Sequence, residues 1–123
     1  MAHKHSPAFL AIVDDSKARV KEVTVAQTLK RLAENPKAVL VDVREDREWD
    51  AGHAARAQHL GKGVIERDID AAIPDRGTEL ILYCGGGFRS ALAGDALQRM
   101  GYTNVWSLAG GWRAWNEAGA PTA

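Results

Sequence analysis

The chain has 123 residues, 46% of them apolar: enough for one domain with its own core and too few for two. Sixteen basic residues balance sixteen acidic ones, so the basic excess of a nucleic-acid binder is missing and no nucleic-acid partner is expected. The longest apolar run, residues 8–13, ends at Asp14-Asp15, too short for a membrane span or a secretory h-region; the expectation is a cytoplasmic protein without a membrane partner.

In chain order, residues 1–20 read as an N-terminal extension. It is helical from Ser6-Pro7, a capping residue followed by a helix-starting proline, with Phe9, Val13 and Val20 at roughly helical spacing. Thr24 caps a second helix whose Val25, Leu29 and Leu32 share a face and which stops at Asn35-Pro36. Residues 39–43 are a β-branched run apolar on both sides, as a central parallel strand should be. Residues 46–51 read as a short helix ended at Gly52, and 58–60 as a short strand. A helix over 64–73 ends at Pro74, and 80–83 is a second buried strand. Residues 90–100 form a helix with Leu92, Ala93, Ala96, Leu97 and Met100 on one face and Gly101 closing it. A last strand over 105–108 precedes Gly110-Gly111 and a short helix through Trp112 and Trp115. Strands alternating with helices predict an α/β domain with a mainly parallel sheet, whose ligand site lies beyond the carboxyl ends of the strands.

The single cysteine, Cys84, has no partner for an internal disulfide and cannot build a Cys-rich zinc site. His3, His5, His53 and His59 lack a pair at helical ligand spacing, so neither a metal nor another cofactor is expected. Cys84 directly follows a buried strand, and Gly85, Gly86, Gly87, Phe88 and Arg89 separate it from the helix starting at Ser90. Successive glycines let the backbone curl with N–H groups pointing inward, and the helix N-terminus adds partial positive charge to the same concavity. Arg89 adds a full charge, so the pattern places a thiol in a ring of donors that favours an anion. Taken singly, a cysteine at a strand end is most often an inert buried residue and a glycine run a flexible turn. The joint arrangement is much rarer and points to an anion-binding, nucleophilic thiol.

Cys-Gly-Gly-Gly-Phe-Arg-Ser at 84–90, after Leu-Ile-Leu-Tyr, resembles the active-site loop of single-domain rhodanese sulfurtransferases, the thiosulfate sulfurtransferase-like family. Val41-Asp42-Val43-Arg44-Glu45 with Trp49, Ala51-Gly52-His53, and Leu108-Ala109-Gly110-Gly111-Trp112 agree with that family in order and spacing. The resemblance implies a rhodanese-like domain over residues 21–120, with a five-stranded parallel sheet flanked by helices on both faces. It implies that Cys84 takes sulfane sulfur from a small donor such as thiosulfate, holds it as a persulfide, and passes it to a thiol, cyanide or a protein relay partner. Gly85, Gly86, Gly87, Phe88, Arg89 and Ser90 would then form the substrate cradle. Asp42 and Arg44 fall at the carboxyl end of the first long strand, within reach of that loop, so Arg44 is either a further substrate-binding residue or one half of a surface ion pair. Two rivals stand beside this reading: a non-catalytic rhodanese module for partner binding or sulfur relay, and a Cys-based phosphatase or arsenate reductase. Rhodanese-like phosphatases have five residues between Cys and Arg; here there are four, which favours sulfur transfer.

Outside the loop, Asp42 has an ordinary role in bracing backbone, His53 in bonding its turn, and the tryptophans in packing. One stretch departs from the family: after Gly52-His53 the chain reads Ala54-Ala55-Arg56-Ala57, where an Ile-Pro-Gly-Ala turn is common. Arg56 there is either an exposed bystander or an extra cation for a donor.

Overall fold

A computed structural model describes residues 5–123. His3 and the rest of residues 1–4 lie outside the described residues. The chain runs α1 (Pro7–Lys17), β1 (Lys21–Val23), α2 (Val25–Glu34), β2 (Val39–Asp42), α3 (Asp46–Ala51), β3 (Gln58–His59), α4 (Ile65–Ala72), β4 (Leu80–Tyr83), α5 (Phe88–Arg99), β5 (Val105–Leu108) and α6 (Gly111–Glu117). The strands form one parallel sheet in the order β1-β5-β4-β2-β3.

Strand alternation divides the core in two. Val41, Val43, Leu80, Leu82 and Cys84 face α4 and α5, packing against Ile65, Ile69, Ala93 and Leu97. Leu40, Ile81, Tyr83 and Leu108 face the other side with Val25 and Leu32 of α2 and Trp115 of α6. Helices therefore cover both faces, as the family resemblance implied. No helix of the described residues is long and apolar enough to cross a membrane.

Local chemistry explains most boundaries. Ser6 Oγ accepts the Phe9 N–H at 3.1 Å, with Pro7 in the first turn of α1. Thr24 and Gln27 exchange side-chain to backbone bonds of 3.1 and 2.9 Å, a full capping box for α2. Helix α1 ends at Lys17, before Val20; that side chain is buried in the following turn, fitting where Gly94 of α5 has no Cβ. Arg19 and Ser16 both bond the Asp95 carboxylate and lock α1 to α5. Leu29, expected on the buried face of α2, is instead 39% exposed. The edge strand β1 has no clear sequence signal, because Lys21 and Glu22 are exposed and only Val23 is buried.

The departure at residues 54–57 has a local solution. Arg56 takes a left-handed φ of 69°, and the C-terminal tail pairs back onto the turn through His53–Ala123 and Ala55–Pro121 backbone bonds. Ala54 is fully buried and donates its N–H to the Tyr83 hydroxyl at 3.0 Å.

Candidate active site

The connections from β2 and β4 leave the sheet in opposite directions, so a crevice opens at the carboxyl ends of these two neighbours. Such a switch point is where open α/β sheets bind ligands. Cys84 follows β4 at this place, on the floor of an open cavity of about 670 Å³ lined by Gly85, Gly86, Phe88, Arg89, Glu48, His5, Phe9 and Arg113.

The sulfur is held from two sides. Gly87 donates its N–H to Cys84 Sγ at 3.1 Å, and Ser90 Oγ lies 3.6 Å away, itself bonded to Ser107 Oγ at 2.8 Å. Of the three loop glycines, only Gly87 has a left-handed φ, +100°. A Cβ there would press on Gly110 N and Leu108 O at 3.3 and 3.4 Å, so this position needs glycine on two counts. Gly87 caps α5, which therefore begins at Phe88 rather than Ser90. The loop is also pinned from behind: Trp112 and Arg113 at the start of α6 donate their N–H groups to the carbonyls of Cys84 and Gly85, at 2.7 and 3.2 Å. With both carbonyls so engaged from behind, the Gly87 N–H is held on the sulfur, an arrangement that suits an anionic thiolate.

Arg89 is in the cavity wall, but its fork is engaged. Nη1 and Nη2 donate to the Glu48 carboxylate at 2.8 and 3.0 Å. The guanidinium holds Glu48 down at about pKa 2 against the opposing effect of burial, and the pairing raises that of Arg89. Glu48 also accepts the Glu45 N–H at 2.9 Å, which fixes it in the first turn of α3. The pair is thus a neutral, bidentate strut between the β2 and β4 connections.

Arg44, expected among the substrate-binding residues, stands apart from this cavity. Its Nε and Nη2 fork onto Asp42 at 2.8–3.1 Å, Nη2 also donates to Gly52 O at 2.7 Å, and the side chain is 4% exposed. Burial opposes the charge on Arg44, while bonding and attraction to Asp42 together with Tyr83 favour it, leaving the pKa raised. It sits over the Trp112 ring at 4.7 Å, and the geometry makes Asp42–Arg44 a buried brace beneath α3 and α6. His53 bonds Trp49 O at 3.1 Å and stacks on the Trp49 ring, with His59 stacked on the same indole. Arg56 lies on the opposite helix layer, in a groove with Leu29, Leu32 and Trp115.

Four cavity residues went unmarked by the sequence pattern: Glu48, His5, Phe9 and Arg113. Glu48 lay three residues after Glu45 inside a stretch already singled out, and its position in a first helical turn was its only local signal. Phe9 reads as one of the helically spaced residues of α1, His5 as part of the N-terminal extension, and Arg113 carries no local signal. Among the described residues no cluster of His, Cys, Asp and Glu could hold a metal ion.

The family model described as Rhodanese-like domain matches residues 25–118. The Mycobacterium tuberculosis protein named probable adenylyltransferase/sulfurtransferase MoeZ is 33% identical over 106 residues, covering 85% of this chain and 27% of that protein. The chain spans only about a quarter of the length of such curated relatives. Among solved structures, the polysulfide-sulfur transferase of Wolinella succinogenes superposes with a TM-score of 0.82 at 28% identity, covering 94% of this chain and 87% of that one. A Rhodopseudomonas palustris protein of unknown function, described as a possible tyrosine phosphatase, gives 0.85 at 28% identity, covering 100% and 99%.

Proposed function

We propose, since the chain belongs to the rhodanese-like domain family, that it is a sulfurtransferase in which Cys84 carries sulfane sulfur as a persulfide. The observation that carries this reading is the placement of the buried Cys84 against the cavity floor, its Sγ taking the Gly87 N–H at 3.1 Å in a loop whose Cys84 and Gly85 carbonyls are tied back by α6.

In the forward half-reaction, the Cys84 thiolate attacks the outer sulfur of thiosulfate. A new S–S bond forms as the old one breaks, and its electron pair leaves with sulfite. The Cys84 persulfide anion then sits where the Gly87 N–H and the α5 N-terminus offset its charge. A thiol, cyanide or a relay protein attacks the outer sulfur, taking it away and restoring the thiolate. Gly85, Gly86 and Phe88 shape the cradle, Gly87 and Ser90 support the sulfur, and the Arg89–Glu48 strut fixes the loop against α3. Asp42 and Arg44 act as structural braces in this scheme.

A phosphatase reading is favoured by the description of the R. palustris neighbour. It needs a ring of donors around a tetrahedral group in line with the thiolate, and an acid for the leaving alkoxide. Only four residues separate Cys84 from Arg89. Glu48, the cavity's carboxyl group, is paired to that same arginine and stays ionised, so it has no proton to give. The test is turnover of thiosulfate with cyanide, read as thiocyanate, beside hydrolysis of para-nitrophenyl phosphate. Thiocyanate formation lost in Cys84→Ser, with negligible phosphate release, is expected. Cys84-dependent phosphate release without sulfur transfer would overturn the reading.

A further inference from the structure

We infer that α1 and Arg113 build a donor-selecting subsite beside Cys84, suited to an organic persulfide that carries a carboxylate. This rests on the sulfur-transfer reading and specifies its substrate. Helix α1 lies outside the matched residues 25–118, yet it supplies one wall of the cavity. The Phe9 ring stands 6.2 Å from Phe88 and that of His5 4.9 Å, both edge-on, while Lys17 Nζ lies 5.0 Å from the Phe88 ring centroid. An aromatic surface thus runs from the nucleophile's own loop onto the N-terminal segment.

Size and charge both favour such a donor. A volume of about 670 Å³ falls within the roughly 300–1,000 Å³ usual for organic ligands, and a four-oxygen-or-smaller inorganic anion would touch only its floor. Among the described residues the walls carry two guanidiniums and one carboxylate. Arg89 and Glu48 satisfy each other, which leaves Arg113 as the uncommitted cation: among the described residues it enters no ion pair. Its backbone N–H already bonds the Gly85 carbonyl, so its side chain is rooted next to the sulfur-bearing loop. An apolar donor body fits along Phe9 and Phe88 while its carboxylate meets the Arg113 fork.

The transfer balances without an added oxidant or reductant. The Cys84 thiolate attacks the outer sulfur of R–S–SH, forming a Cys84 persulfide as the donor's S–S bond breaks. The bonding pair leaves with R–S⁻, and the proton stays on the transferred sulfur or passes to water.

Loading of Cys84 by glutathione persulfide, by the persulfide of 2-mercaptoethanol and by thiosulfate is followed by intact mass after rapid alkylation, against donor concentration. Arg113→Ala and Phe9→Ala should each raise the half-saturating concentration of glutathione persulfide about tenfold with little change in maximal rate, the sign of lost binding alone. Arg113→Ala should affect the carboxylate-free 2-mercaptoethanol persulfide far less, and Arg113→Lys should restore part of the loss. The exposed α1 variant Ile12→Ala should match the wild type. Because Phe9→Ala also loosens packing on Phe88, the surface substitution Arg113→Ala decides the matter. Loading of Cys84 that is equally sensitive, or insensitive, to Arg113→Ala for all three donors would overturn the subsite and leave sulfur transfer standing. Absence of loading by every donor would overturn both.

Discussion

Replacing Gly111 by alanine should damage the Cys84 loop from outside it. Gly111 opens α6 with a φ of +49°, and an added Cβ would lie 2.2 Å from the Cys84 carbonyl oxygen and within 3.0 Å of Gly85 C. Real Cβ contacts do not fall below 3.0 Å, so loop and helix must separate by about 0.8 Å. The left-handed backbone costs alanine about 1 kcal/mol, and weakening the 2.7 Å Trp112 N–H bond to the same carbonyl costs about another. With the forced shift of a close-packed loop, the total is about 3 kcal/mol, or a Tm lower by about 10 °C for a domain of this size. Activity should fall further than stability implies, because an ångström-scale misplacement of a reacting group costs up to about a hundredfold. Thermal unfolding and thiosulfate:cyanide turnover at a temperature where the variant remains folded separate the two effects. A Gly111→Ala protein with wild-type Tm and turnover would refute the claim that α6 holds the nucleophile's carbonyl in place.

Other perturbations have equally direct readouts. Asp42→Ala strands the buried Arg44 charge and should cost about 3–5 kcal/mol in denaturant unfolding, most of it recovered in Asp42→Ala/Arg44→Met; a loss under about 1 kcal/mol would contradict the brace. Glu48 has a folded pKa of about 2, below its ordinary value of 4.5, so its contribution is fully present above about pH 4.5 and is lost as pH falls towards 2. The stability gap between wild type and Glu48→Gln should narrow over that window, and a gap that widens on acidification would be inconsistent with the Arg89 strut. Inserting one residue between Gly87 and Phe88 should weaken sulfur transfer by disturbing the Gly87 N–H bond to Sγ; undiminished turnover would show that loop size is not decisive.

The sequence was most legible where structure is local. Strands β2, β4 and β5 are short, buried runs with few alternatives, and the Cys84 loop carries its glycines, arginine and helix start within seven residues. Illegible features depend on distant partners. Strand β1 exists because Lys21, Glu22 and Val23 pair with Trp106, Ser107 and Leu108 on a sheet edge, not because of their own propensity. Arg89 was readable as a cation near the thiol, but its neutralisation by Glu48 spans 41 residues. Arg44 looked like an anion contact for the same reason that makes it a brace: it sits at the end of β2, and only the folded positions of Asp42, Gly52 and Trp112 decide which way it turns. The role of Phe9 is similarly set by how α1 docks on α5, through Arg19 and Asp95.

The central claim, that Cys84 carries transferable sulfur, is tested most directly by intact-mass measurement of the protein after thiosulfate treatment and again after cyanide. The wild type should gain one sulfur atom, reversed by cyanide as thiocyanate appears, and Cys84→Ser should gain none. No added sulfur in the wild type, or the same addition in Cys84→Ser, would contradict it.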